Sequence, residues 1–313
     1  MITLKELARK EDLFTAGHAL CPGCGIPAIL KIVLRASRYP LVVSNATGCL
    51  QMASTCFPRT SWKLNWIHTA FENASAVMSG ITAVYSSLKK QGRLPAEKVV
   101  KFLVIGGDGA TGDIGLGSFS GAIERGHDFV YLCYDNQLYG NTGGQRSSAT
   151  PMGAATTTTP AGEAFPGKLQ FRKNIARIAA AHDIPYVAQS AAWIWQDLYK
   201  KAEHAFENPG PALLNVLSPC PTEWRTPTEK TVELTRLAAD TCVWPVYEVK
   251  NGTKVTVNYK PKQKRPVTEW LHSQPRFKHL LMSENKWIVD KIQEEVDEDW
   301  ESLLSSETKT RDN

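Results

Sequence analysis

Apolar and polar positions along the chain follow two periods, which predict strands and helices in turn. Short apolar runs are typical of buried parallel strands, and longer segments that are apolar on one face predict amphipathic helices. Strands that alternate with helices imply βαβ units, so we predict an α/β fold with a mostly parallel sheet flanked by helices. The predicted strands are 41–44, 99–105, 129–134, 186–188 and 212–217, and the predicted helices are 26–36, 72–90, 115–125, 172–182 and 193–206.

The pattern changes after residue 222, where we predict a domain boundary. Residues 1–222 form the predicted α/β domain, and 223–313 form a C-terminal extension. Within the extension, 246–259 predict a hairpin around Asn251-Gly252 and 286–304 predict an acidic amphipathic helix. We expect this extension to pack on the main domain or on a partner subunit.

Between the predicted strands and helices, residues 141–167 are rich in Gly, Thr, Ala and Pro and show no periodicity. Loops of that length within a compact domain are usually functional. We therefore expect residues 141–167 to contribute to a site.

Composition limits the class of protein. The 313 residues are 42% apolar and 21% charged, as in soluble globular proteins. No apolar run is long enough to span a bilayer, and the charged first 14 residues do not resemble a signal peptide, so we expect a cytoplasmic protein that does not bind membranes. The net charge of +5 comes without a basic, aromatic-interleaved stripe, so nucleic acid is not an expected partner.

Four residues whose side chains can bind metals or cofactors lie shortly after predicted strands. They are Cys49, Asp108, Asn136 and Cys220. In parallel sheets ligands bind at the carboxyl ends of the strands. The sequence therefore predicts a site at this edge of the sheet.

The segment Gly107-Asp108-Gly109 predicts a phosphate and magnesium site. The two glycines allow the backbone to approach a phosphate group. Magnesium prefers oxygen ligands, which Asp108 supplies as a carboxylate, Asn136 as a side-chain amide and Leu138 as a main-chain carbonyl. The structural alternative is a tight turn with Asn136 as a cap. The position of both groups after successive strands favours the magnesium site.

Four cysteines with glycine or proline neighbours predict one Cys-ligated cluster: Cys21, Cys24, Cys49 and Cys220. The alternative is structural zinc, which usually uses two compact pairs, whereas here one pair is joined by two distant cysteines. This spacing favours iron–sulfur. The other cysteines have no glycine-rich surroundings and are expected to be buried apolar side chains: Cys56, Cys133 and Cys242.

Several motifs resemble those of the β subunit of 2-oxoacid:ferredoxin oxidoreductases. They are Gly-His-Ala-Leu-Cys-Pro-Gly-Cys-Gly (17–25), Ala-Thr-Gly-Cys (46–49), Gly-Gly-Asp-Gly (106–109), Tyr-Asp-Asn-Gln-Leu-Tyr-Gly-Asn-Thr-Gly-Gly-Gln (134–145) and Leu-Ser-Pro-Cys-Pro (217–221). The resemblance covers roughly residues 15–250. It is closest to the pyruvate:ferredoxin oxidoreductase and oxalate oxidoreductase subunits, with a slight preference for oxalate.

This resemblance implies a thiamine diphosphate-binding domain and assigns roles to individual residues. It implies that Cys21, Cys24, Cys49 and Cys220 hold a [4Fe–4S] cluster. It also implies that Asp108, Asn136 and the carbonyl of Leu138 bind Mg²⁺, and that Gly107 and Gly109 flank the diphosphate. Asn141 is expected to face the thiazolium carbon and the substrate, as a catalytic residue.

The implied activity is the oxidative decarboxylation of a small 2-oxo acid, oxalate or pyruvate, with electrons passed one at a time to ferredoxin. Other subunits are expected to supply the glutamate that activates thiamine, most substrate contacts and ferredoxin-like clusters. Two alternatives remain open. One is a cluster-free thiamine-dependent decarboxylase or transketolase-like enzyme with structural cysteines, and the other is a metal-stabilised binding module.

Overall fold

A computed structural model describes residues 2–95, 97–162 and 165–307. Within these ranges the centre of the fold is one eight-stranded sheet in the order β2-β1-β3-β4-β6-β5-β7-β8. The strands are β1 (Leu41–Ala46), β2 (Asn65–Thr69), β3 (Lys101–Gly107), β4 (Val130–Asp135), β5 (Tyr186–Ala191), β6 (Ala212–Leu217), β7 (Tyr247–Lys250) and β8 (Lys254–Val257).

The sheet is mostly parallel, which confirms the predicted fold class. The six strands from β2 to β5 in this order pair in parallel. The last two, β7 and β8, add antiparallel at the β5 edge. Strands β4, β5 and β6 are buried at every position, as expected of central strands covered on both faces.

Helices cover both faces of the sheet. The α-helices in the described ranges are α1 (Leu4–Arg9), α2 (Ile26–Ala36), α3 (Cys49–Ser54), α4 (Ala74–Lys90), α5 (Asp108–Gly112), α6 (Leu116–Glu124), α7 (Ile175–Ala180), α8 (Trp195–Glu207), α9 (Pro221–Trp224), α10 (Thr231–Asp240), α11 (Val267–His272) and α12 (Lys286–Ser305). One apolar core lies under α2 and α8, and a second lies under α4, α6 and α7. Across the described part of the chain, none of these helices is both apolar and long enough to cross a membrane.

Most predicted elements lie where the pattern placed them. Residues 26–36 and 212–217 have the predicted bounds, and the described residues of 141–167 contain no helix or strand. Strand β2 and six helices were not predicted: α1, α3, α5, α9, α10 and α11. Strand β2 lies at the edge of the sheet with three of its five residues exposed, so it lacks a buried strand's apolar run. Helix α5 begins at Asp108, within the segment for which a tight turn was the structural alternative.

The C-terminal residues pack against the sheet and against the loops at its carboxyl edge. The predicted hairpin forms β7 and β8 and extends the sheet. The predicted acidic helix forms α12, which buries Ile288, Ile292 and Val296 in a third apolar core with Trp224 and Trp270. The boundary after residue 222 stays a prediction, and residues 308–313 of the extension lie outside the described residues.

We expect Ile288→Ala to destabilise the whole chain, because Ile288 is fully buried and its removal leaves a cavity between α12 and the loops it covers. The free energy of unfolding should fall by about 2–5 kcal/mol. Urea denaturation of the full chain measures this value. Trp287→Ala is the matched control, because the neighbouring Trp287 is 45% exposed and should cost less than about 1 kcal/mol. Equal losses would show that α12 does not pack as described.

Candidate functional site

The four predicted residues meet at one edge of the sheet. Strands β1, β3, β4 and β6 are consecutive neighbours and run in the same direction, so their carboxyl ends lie side by side. Cys49 begins α3 after β1, Asp108 begins α5 directly after β3, and Asn136 directly follows β4. Cys220 lies three residues beyond the end of β6 and caps α9.

One cavity of about 180 Å³ lies above the ends of β3 and β4. Its wall includes Gly107, Asp108 and Gly109 together with Asn136 and Leu138. Gly109 is required by packing, because a Cβ atom there would lie 2.1 Å from the ring of Tyr139. The glycines therefore let a backbone segment line the cavity closely, as the predicted diphosphate site needs.

The side-chain amide of Asn136 lies between two oxygen atoms beside this cavity. Without a bound cation its nitrogen donates to Oδ1 of Asp108 at 2.9 Å and to the carbonyl oxygen of Leu138 at 2.7 Å. Turned over, the amide would direct its oxygen to the same place, so that three oxygen atoms could surround a cation. Neighbouring oxygens around octahedral Mg²⁺ are about 2.9 Å apart. The donor set and spacing therefore fit magnesium.

Asp108 is a buried carboxylate with no cationic partner at hydrogen-bond distance among the residues described. It accepts hydrogen bonds from the hydroxyl of Ser147 at 2.5 Å and the backbone N–H of Asn136 at 3.3 Å. Burial raises the pKa of Asp108 well above its usual range, and the negative charge of Asp135 raises it further. A divalent cation would remove this penalty by supplying positive charge.

The turn that carries Asn136 and Leu138 is held from several sides. The indole N–H of Trp224 donates to the carbonyl of Asn136 at 2.9 Å, and the hydroxyl of Thr150 donates to the carbonyl of Gln137 at 2.7 Å. The sequence reasoning missed both contacts and Ser147. The available signal was the long loop 141–167, which contributes Ser147 and Thr150.

The four predicted cluster cysteines line a second cavity, of about 330 Å³. The loop with Cys21 and Cys24 is held near Cys220 by tight packing at its glycines. A Cβ atom on Gly23 would lie 2.3 Å from the carbonyl oxygen of Thr228, and Gly23 has a φ of 72°. The structure therefore brings all four thiols around one space.

The thiols surround this space from its walls. Within the described ranges, no group of three His, Cys, Asp or Glu side chains is arranged to hold a metal ion. Burial raises the pKa of Cys24 and Cys49 to about 12 and also raises that of Cys220. As thiolates they would need bound positive charge. A polynuclear centre supplies it and uses a separate thiolate for each iron, which fits four cysteines around a cavity.

The remaining cysteines lie outside this cavity. Cys133 and Cys242 are buried, as expected. The expectation for Cys56 was wrong, because this side chain is exposed just beyond the end of α3. The four residues that follow it, 57–60, are all exposed and leave the thiol uncovered.

The two cavities share a wall formed by Cys49, Asn136, Gly140 and Asn141. A Cβ atom on Gly140 would lie 3.2 Å from the Asn136 side chain and 3.6 Å from the sulfur of Cys49. Asn141 is exposed at the rim of both cavities. A cofactor in the first cavity would therefore lie one layer of residues from a centre in the second.

Comparisons with known proteins identify the family of the chain. The family "Thiamine pyrophosphate enzyme, C-terminal TPP binding domain" matches residues 46–216. The chain is 46% identical to pyruvate synthase subunit PorB of Thermotoga maritima over 99% of this chain and 98% of that protein. It is 38% identical to ketoisovalerate oxidoreductase subunit VorB of Pyrococcus abyssi over 94% and 93%.

A solved structure has the same fold. The 2-oxoglutarate:ferredoxin oxidoreductase from Magnetococcus marinus aligns with 73% of this chain and 82% of its own, at 22% identity and a TM-score of 0.55.

We expect Asp108→Asn to stabilise the magnesium-free chain increasingly as the pH rises. The raised pKa of Asp108 means that the folded state binds more protons than the unfolded one. The contribution of Asp108 to the free energy of unfolding is complete below about pH 4. It is lost as the pH rises through the pKa of Asp108 in the folded state. Urea denaturation with a chelator, from pH 4.5 to 8, measures the difference between the variant and the natural protein.

Ser147→Ala is the control for this measurement, because it keeps the carboxylate and removes one hydrogen bond to it. This variant should become less stable than the natural protein as the pH rises. If the Asp108→Asn difference did not depend on pH, the inferred ionisation of Asp108 would be wrong.

Proposed function

The chain belongs to the β subunits of the 2-oxoacid:ferredoxin oxidoreductases, which depend on thiamine diphosphate, and we propose that it holds Mg²⁺-thiamine diphosphate and a [4Fe–4S] cluster side by side. The observation that carries this proposal is the shared wall between the site formed by Asp108, Asn136 and Leu138 and the four-cysteine cavity. Electrons released at the first site then enter the second over a short distance.

In this proposal Asp108, Asn136 and the carbonyl of Leu138 hold Mg²⁺, which in turn holds the diphosphate beside Gly107 and Gly109. Thiamine diphosphate supplies a nucleophilic carbon and stabilises the negative charge left when CO₂ departs. Ser147 holds the Asp108 carboxylate in place through its hydroxyl. Asn141, at the rim shared by both cavities, offers an uncharged amide to the substrate.

The cluster in this proposal is held by Cys21, Cys24, Cys49 and Cys220, and it accepts electrons one at a time. Cys49 lies in the wall next to the thiamine site, so it is the ligand nearest to the electron source. Cys21 is exposed, so a cluster held by these thiols would be open to the surface at Cys21. That direction suits transfer to a ferredoxin or to a cluster of a partner subunit.

The substrate we propose is pyruvate. The relative from Thermotoga maritima is named a pyruvate synthase subunit, and it matches almost the whole chain. The slight preference for oxalate came from overall similarity, and no relative named here is an oxalate enzyme. The relatives are named as subunits, so we also propose that partner chains supply the thiamine-activating glutamate and further clusters in a cytoplasmic complex.

We expect anaerobically purified full-length chain to be brown and to contain about four irons, as one cubane held by four thiolates requires. Cys24→Ser should lose most of this iron, because its thiol lies inside the cavity. Cys56→Ser is the matched control, since Cys56 is exposed and does not line the cavity. Iron analysis and visible absorption measure the result.

Two outcomes would contradict the cluster. Colourless protein that binds a single zinc per chain would favour a structural metal site. Full activity of Cys24→Ser in the assembled complex, without any electron acceptor, would favour a cluster-free decarboxylase.

We expect Asn141→Ala to lower turnover by about 10- to 1000-fold, the usual effect of removing one polarising donor. The preferred acid should not change, because the amide of Asn141 carries no charge with which to select among acids. Steady-state assays of the assembled complex with pyruvate, oxalate and 2-oxoglutarate, with and without coenzyme A, measure both quantities. Normal turnover with a changed preference would instead make Asn141 a specificity residue.

A further inference from the structure

A buried arginine from the C-terminal extension reaches the region between the two sites. Arg276 lies in the 3-10 helix Pro275–Leu281, outside the residues that match the thiamine family, and only 4% of it is exposed. Its guanidinium carbon lies 3.9 Å from the ring centre of Trp224, 5.0 Å from that of Phe277 and 5.7 Å from that of Trp270. This aromatic cage excludes water from a full positive charge.

The positive charge of Arg276 is not balanced by a paired negative charge within this cage. Nη2 donates to the side-chain oxygen of Gln137 at 2.6 Å and Nε donates to that of Gln274 at 3.0 Å, both neutral acceptors. Nη1 is buried and has no hydrogen-bond partner in the described part of the chain. Nearby Asp135 is paired with Arg172 at 2.8 Å. A buried cation in this position requires negative charge from elsewhere.

Two of the three negative groups that act on Arg276, Cys220 and Asp108, belong to the proposed sites. Burial lowers the pKa of Arg276 to about 9, and the charges of Cys220, Asp135 and Asp108 oppose this shift. Cys220 is also linked to the cage through α9, because the backbone N–H of Trp224 donates to the carbonyl of Cys220 at 2.8 Å. The guanidinium is therefore placed to balance an anionic centre bound at Cys220.

Arg276 also restrains the turn that carries the magnesium ligands. Gln137, between Asn136 and Leu138, has a φ of 66°, a left-handed conformation that costs free energy in a residue with a side chain. The hydrogen bond from Arg276 holds the Gln137 side chain in this conformation. Trp224, whose ring contacts Arg276, donates to the carbonyl of Asn136. Arg276 and Trp224 therefore both hold this turn.

We propose that Arg276 is a positioning residue that serves both cofactors: its charge balances the cluster bound at Cys220, and its hydrogen bond to Gln137 fixes the Asn136–Leu138 turn. The first half of this proposal rests on the proposed cluster. The second half depends only on the described contacts. The C-terminal extension thus contributes to the chemistry of the site as well as to the stability of the chain.

The charge is tested by the reduction potential of the cluster in full-length chain, titrated anaerobically and followed by electron paramagnetic resonance. Arg276→Met keeps most of the volume and removes the charge, so the potential should become more negative, because an added electron loses a nearby cation. Arg276→Lys keeps the charge and should stay near the natural value. Trp270→Phe is the control: it perturbs the cage without removing the charge, so the potential should not move.

The positioning role is tested by the affinity of the assembled, cofactor-depleted complex for thiamine diphosphate at fixed Mg²⁺. Arg276→Met and Arg276→Lys should both weaken binding by about tenfold, the effect of losing one hydrogen bond from a charged donor. Trp270→Phe keeps this bond and should bind within about threefold of the natural protein. The Arg276→Lys variant therefore separates the two roles: the reduction potential of the cluster should not change, and the affinity for thiamine diphosphate should fall.

The proposal is wrong if Arg276→Met has the natural potential and the natural affinity. If Arg276→Met does not fold, the Lys variant decides: an unchanged affinity overturns the positioning role, and a weakened one supports it. Natural protein without iron would refute the proposed cluster and, with it, the charge-balancing role. The affinity measurement would still test the contact with Gln137.

Discussion

The parallel pairing of β3 with β4 is the constraint on which the site depends. Gly107 lies opposite Tyr134 in this register, so Asp108, one residue further along β3, and Asn136, two residues further along β4, leave the sheet close together. A shift of one residue would turn the side chains of one strand to the other face of the sheet. The oxygen atoms beside the first cavity meet because this register is held by the buried β1-β3-β4-β6 core.

Burial at this edge of the sheet shifts the pKa values of the site residues and makes their charged forms unfavourable. The carboxylate of Asp108 and the thiols of Cys24 and Cys49 all have raised pKa values, because water is excluded from them. Their charged forms are unfavourable in the protein alone and become favourable beside bound metal. Exclusion of water also lowers the pKa of Arg276, because it disfavours the positive charge. Negative charge at Asp108 or at the cysteines and positive charge at Arg276 therefore favour each other.

The long loop and the C-terminal extension complete what the sheet begins. Ser147 and Thr150 reach back from the loop to Asp108 and Gln137, and the backbone N–H of Ala155 donates to the carbonyl of Arg276 at 2.9 Å. Helix α12 covers this layer by burying Ile288 against Gly153 and Leu280. The extension is therefore continuous with the structure that holds the cofactor turn.

The sequence alone determined the local features of this protein. Apolar runs identified the central strands, because a strand covered on both faces is apolar at most of its positions. Short motifs indicated the candidate residues, because the ligand side chain and its glycine or proline neighbours are adjacent in the sequence. These motifs are the glycines and prolines beside Cys21, Cys24, Cys49 and Cys220, and Gly107-Asp108-Gly109 after a strand. Edge strand β2 escaped detection, since exposure removes the apolar pattern.

Only the tertiary structure decided which distant residues act on those motifs. Ser147, Trp224 and Arg276 are ordinary residues in sequence, and each becomes important because the fold buries it within reach of Asp108, Asn136 or Gln137. The exposure of Cys56 was decided in the same way, by what packs over a short helix end. Burial and hydrogen-bond partners arise from contacts between residues far apart in the chain, and no local pattern encodes them.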